Sequence, residues 1–90
     1  MKVVPEHWLT HSDIGNILVS NVSDEEVSLK EVRRILEDNP KWRLPTYVER
    51  MHIRNLLNNS WYGFTWDTND LPRVDVNISA TYRLFLVRTE

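Results

Sequence analysis

His7 and His11 stand four residues apart, with Asp13 close behind. Imidazole and carboxylate are donors of a zinc-type site, so this stretch is the first place to look for metal chemistry. The zincin pattern needs a Glu directly after the first His, and Trp8 occupies that position. The plainer reading is two exposed imidazoles near a chain end, and neither a metal nor a cofactor is expected. His52 falls between apolar residues of a predicted helix and reads as a partly buried helix residue rather than a general base. Asp67 and Asp70 lie among turn formers, where Asp is favoured for backbone reasons alone. Gly occurs only at positions 15 and 63, which leaves no phosphate-cradling loop and no Gly-x-Ser-x-Gly elbow. With no Cys, thiolate metal sites, disulfides and cysteine nucleophiles are excluded. The expectation is a protein that is not an enzyme.

Binding chemistry is better represented. Lys41, Trp42 and Arg43 place an indole between two cations in a loop after Pro40. Such a combination stacks on bases and holds phosphates, or anchors a protein interface. Arg50 and Arg54 follow at i, i+4 spacing on one stripe of a predicted helix, with Arg33 and Arg34 as flanking cations. Lys41, Trp42, Arg43, Arg50 and Arg54 are therefore the expected partner-binding residues. The competing reading folds Trp42 back over the core and leaves Lys41 and Arg43 to keep the loop soluble.

The elements that must position these groups follow from hydrophobic period. Ser28 and Glu31 form a capping box at the head of a helix over residues 28–38, with Leu29, Val32, Ile35 and Leu36 on one arc. Ser23 and Glu26 offer an earlier start for the same helix. Thr46 and Glu49 cap a second helix over residues 46–58. Its apolar residues occupy two sides, with Tyr47, Val48 and Met51 on one and Ile53, Leu56 and Leu57 on the other. Such a helix is either central in the core or turned in part toward a partner. Residues 10–21 read as a weaker helix through Ile14, Ile17, Leu18 and Val22, although Ile17, Leu18 and Val19 also suit a short buried strand. Gly15 counts against the helix.

Beyond Trp61 the period becomes two. Tyr62, Phe64 and Trp66 alternate with small residues, and a turn-rich loop follows over residues 67–73. Val74, Val76, Ile78, Ala80, Tyr82, Leu84 and Leu86 then occupy every second position, the strongest β signal in the chain. Fifteen residues of unbroken strand would span about 50 Å. This run should therefore bend into segments. After Arg83 the polar face also turns apolar at Phe85 and Val87, which points to coverage by the helices or to an edge that pairs with a second copy.

The chain has 90 residues, 41% hydrophobic and 27% charged, with a net charge of −2. That describes one small globular domain over residues 1–90. Lys2 is the one Lys or Arg of residues 1–29, against Glu6, Asp13, Asp24, Glu25 and Glu26, while residues 30–54 are net basic. No stretch reaches the length of a membrane span and no apolar leader is visible, so a cytoplasmic setting is expected. Asn-x-Ser triplets at Asn21, Asn58 and Asn77 are attributed to chance.

The expected fold is α+β: two or three helices followed by a C-terminal antiparallel β-hairpin or three-stranded sheet. The expected function is a non-catalytic protein-interaction module, a regulator or inhibitor of a larger partner, of the kind that phages and mobile elements encode. That partner could itself process nucleic acid. The alternative is a winged-helix-like DNA or RNA binder, with the helix from Thr46 in the major groove and residues 67–73 as wing tip. Asp67, Asp70 and Asp75 in that wing, and the low net charge, argue against it.

Overall fold

The computed structural model describes residues 1–73 and 79–89. It opens on strands: β1 (Pro5–His11), β2 (Gly15–Ser20) and β3 (Val27–Ser28) precede α1 (Leu29–Asp38) and α2 (Tyr47–Leu56). A 3-10 turn (Ser60–Phe64), β4 (Thr81–Tyr82) and β5 (Val87–Thr89) follow. The class is α+β, but the expected order of helices first and hairpin last is wrong. With it goes the winged-helix element order.

The error lies at residues 10–21, where the strand alternative prevails. β1 and β2 form an antiparallel hairpin with His11 opposite Gly15, Leu9 opposite Ile17 and His7 opposite Val19. Gly15 explains the choice. Its φ of +69° is the left-handed conformation that closes a three-residue hairpin loop, and Ile14 donates its amide to the His11 carbonyl at 3.1 Å. The residue that weakened the helix reading is the one that makes the turn. β2 then pairs with β5, completing an antiparallel sheet in the order β1-β2-β5. A second, two-stranded sheet joins β3 to β4.

Both helices form where their caps predict. Ser28 and Glu31 make the reciprocal capping box of α1, and Thr46 and Glu49 that of α2. The earlier start at Ser23 is not used, because Val27 and Ser28 pair with Tyr82 and Thr81 instead. Asn58, at φ +51°, ends α2 in the left-handed region that Asn tolerates.

The aromatic run is not a strand. Residues 60–64 coil into a 3-10 turn, with the Asn59 side chain accepting the Trp61 amide. Trp61 stacks on Tyr62, whose ring meets Phe85 edge-on. Trp66 is fully buried and donates its indole N–H to the Val27 carbonyl at 2.8 Å. Period-two spacing of large rings over so few residues does not separate an alternating strand from such a turn.

The C-terminal β signal is realised as separate short segments, and its first part, Val74, Val76 and Ile78 (with Asn77), lies outside the described residues. Leu84, Phe85, Leu86 and Val87 are all fully buried because this segment runs between two hydrophobic clusters. Leu84 and Leu86 pack with Val27, Leu29, Val32, Leu44 and Trp66 on the α1 side. Phe85 and Val87 pack with Ile17, Val19, Ile53 and Tyr62 on the α2 side. The loss of a polar face after Arg83 therefore reflects coverage on both sides. The outer edge of β5 at Val87 is also closed, by an antiparallel bridge to Arg43. Among the described residues, no strand pairs with the outer edge of β1.

Candidate functional site

Two of the five expected partner-binding residues are committed to internal ion pairs. Arg43 grips Glu49 with two parallel hydrogen bonds of 2.6 and 2.8 Å, and its guanidinium also donates to Thr89 Oγ1 and to the Leu44 carbonyl. Glu49 in turn accepts the Thr46 amide at 2.9 Å. One carboxylate thus caps α2 and anchors the loop that pairs with β5. Burial pushes the Glu49 carboxyl up, but the Arg43 hydrogen bonds, the Thr46 amide and the Arg43 charge together hold it below the ordinary value. Arg50 reaches Asp67 at 3.4 Å and the Thr65 carbonyl at 3.0 Å, with its guanidinium 5.2 Å from the Tyr47 ring.

The other three lie apart from these ion pairs. Lys41 is exposed. Trp42 is half-buried: it packs against the α1-side cluster and carries the Arg88 guanidinium 5.0 Å from its ring. It packs on the core on one side and meets solvent on the other. Arg54 lies along Gly63, with its side chain 3.5–3.9 Å from where a Cβ on that glycine would sit. Of the flanking cations, Arg33 fastens the 71–73 loop to α1 by donating to the Leu71 and Arg73 carbonyls.

Alongside Asn55, three large apolar residues stay exposed on α2. Ile53 is buried and Leu57 packs on the same cluster, yet Tyr47, Val48 and Leu56 remain 52%, 49% and 44% accessible. The helix with two apolar sides is covered on one of them. Phe64 at 72% and Trp8 at 56% are further exposed rings. Phe64 and Trp61 line an open depression with Asp24, Glu25, Glu26 and Arg83.

One cluster escaped the sequence reading because its members come from distant segments. His52 on α2 meets Asp13 in the β1–β2 turn, Nε2 to Oδ2 at 3.0 Å. His11 adds its ring, with Nδ1 3.8 Å from the same oxygen and its centroid 4.2 Å from that of His52. His7 and His11, the imidazoles nearest in sequence, are set about 13 Å apart by four strand steps and do not share this cluster. His7 faces Glu6 at 3.8 Å. Only the adjacency of Asp13 to His11 was legible; nothing in the spacing announces His52.

Neither a family model, nor a curated protein, nor a solved structure matches the chain. No helix among the described residues is long and apolar enough to cross a membrane.

Proposed function

We propose that the chain is a non-catalytic protein-interaction module that regulates or inhibits a larger protein through the outer face of α2. The observation that carries this is the exposure of Tyr47, Val48 and Leu56 on a helix that buries Ile53 in the core, with Leu57 just beyond it packed on the same cluster. Leaving such side chains in water forgoes roughly 25 cal/mol for each Å² of apolar surface, a cost that docking recovers. Charge narrows the partner. The helix contains one carboxylate, Glu49, which is buried against Arg43, whereas no carboxylate pairs with Arg54 among the described residues. An apolar groove rimmed by acidic side chains fits this face. A cytoplasmic setting is part of the same proposal. The face offers rings and aliphatic carbons where a groove-reading helix would offer cations, which places nucleic acid second.

The test is affinity capture from extract with and without nuclease, with the wild-type chain and the folded variants Val48→Glu and Leu56→Glu compared. Specific proteins retained by wild type and lost with both variants support the proposal. Equal retention by all three, or binding that vanishes with nuclease, overturns it.

A further inference from the structure

We infer that His11, Asp13 and His52 form a binding site for a divalent first-row transition cation of the zinc type, joining the β1–β2 turn to α2. Two imidazoles and one carboxylate converge from three places: the end of β1, the hairpin loop, and the middle of α2. One ligand atom from each lies within 4.8 Å of the other two. Ligand atoms bound to one ion at about 2.0–2.2 Å sit roughly 3.0–3.5 Å apart at cis or tetrahedral angles. The contacts of 3.0 and 3.8 Å to Asp13 Oδ2 bracket that range, and every pair of ligand atoms lies within 4.8 Å, so closure on an ion needs the two imidazoles to approach by at most a shift on the order of an ångström.

The ligand set selects the metal class. Imidazole favours zinc, copper, nickel and iron, whereas calcium and magnesium want an oxygen cage that two histidines do not supply. Three protein ligands with an exposed Asp13 leave the remaining coordination positions to water. The cluster also has bonds of its own, which set the competition. The Asp13 amide donates to His11 Nδ1 at 3.1 Å. That nitrogen is therefore the unprotonated one, and an ion at either nitrogen of His11 replaces this bond. The contact between His52 and Asp13 is likewise exchanged for metal bonds. The site is a polar clasp between hairpin and helix that a cation tightens, not an open cage held apart by repulsion.

The experiment is calorimetric titration of the tag-free chain with Zn2+, with visible spectra of the Co2+ form and thermal melts with and without EDTA. One equivalent is expected to bind and raise the melting temperature, and EDTA should reverse the shift. Asp13→Asn and His52→Gln should each weaken binding by at least about tenfold, and His7→Gln should leave it unchanged. Circular dichroism of each variant establishes that it is folded. Should His52→Gln not fold, Asp13→Asn and His11→Gln, both in or beside the loop, carry the comparison. No saturable uptake overturns the inference, as does binding that survives loss of Asp13 or that depends on His7.

Discussion

The Ser23 hydroxyl accepts the backbone amide of Leu84 at 2.9 Å, linking positions 61 residues apart within the buried core. Ser20 does the same for Leu86 at 2.8 Å. In both places the serine amide also donates to the carbonyl of that leucine, so each serine pairs with both polar groups of its partner. The chain leaves β2 here, and side-chain oxygens continue the pairing beyond the three ladder steps that β2 and β5 make. Ser23→Ala leaves the Leu84 amide buried without its acceptor and should cost about 1–3 kcal/mol, and Ser20→Ala should cost as much. Urea unfolding measures the loss, and faster hydrogen exchange at Leu84 or Leu86 locates it. A neutral substitution at both sites would refute this account.

Arg43 and Glu49 carry a pH dependence whose sign follows from the lowered carboxyl. A carboxylate held below its ordinary value of 4.5 contributes stability that is complete above that value and is lost as pH falls through the lower, folded one. The urea midpoint of wild type should therefore drop below about pH 4.5, and that of Glu49→Gln should drop less. At neutral pH Arg43→Ala should cost about 2 kcal/mol, more than Glu49→Gln. The alanine variant strands a buried charge, while the glutamine keeps an acceptor for the Thr46 amide and frees only a half-exposed guanidinium. The reverse ranking would show that the pair contributes little to holding the 41–46 loop.

Local signals were legible and long-range ones were not. The capping residues Ser28, Glu31, Thr46 and Glu49 act within one turn of their own helix, so sequence alone locates both helices. The arc of Leu29, Val32, Ile35 and Leu36 likewise names the core face of α1. At residues 10–21 the same apolar spacing serves helix and hairpin, and the conformation of Gly15 decides between them. Arg50 reads as a partner-binding cation because no local spacing announces its partner Asp67. His52 is separated from His11 and Asp13 by β2, β3, α1 and half of α2, so its place beside them depends on α2 packing against β1. Of the two apolar sides read for α2, Ile53 and Leu57 pack with Ile17 and Val19 of the sheet, while Tyr47, Val48 and Leu56 stay exposed.

Trp42 sits where packing and exposure meet, and its removal should read as both. Trp42→Ala gives up contact with the α1-side cluster and the ring beneath Arg88. For a half-buried indole the cost should be about 2 kcal/mol, which lowers the melting temperature of a domain this size by about 10 °C. Calorimetry checks the value. A variant that melts with wild type would assign Trp42 wholly to the surface.

Gly15 tests the hairpin on which the whole strand-first order depends. Nothing lies within 4 Å of where a Cβ would project, so alanine meets no steric obstacle from the rest of the protein. Its penalty is conformational: an L residue held at φ +69° costs roughly 1–2 kcal/mol. Gly15→Ala should lower stability by about that amount, and Gly15→Asn by less, since a short amide side chain bonds locally in the left-handed region. The same turn presents Asp13 to His52, so hydrogen exchange at the Ile14 amide, bonded to His11, should quicken in the alanine variant before global unfolding. If alanine and asparagine prove equally neutral, position 15 does not hold a left-handed backbone. The loop joining β1 to β2 would then have to close by another geometry.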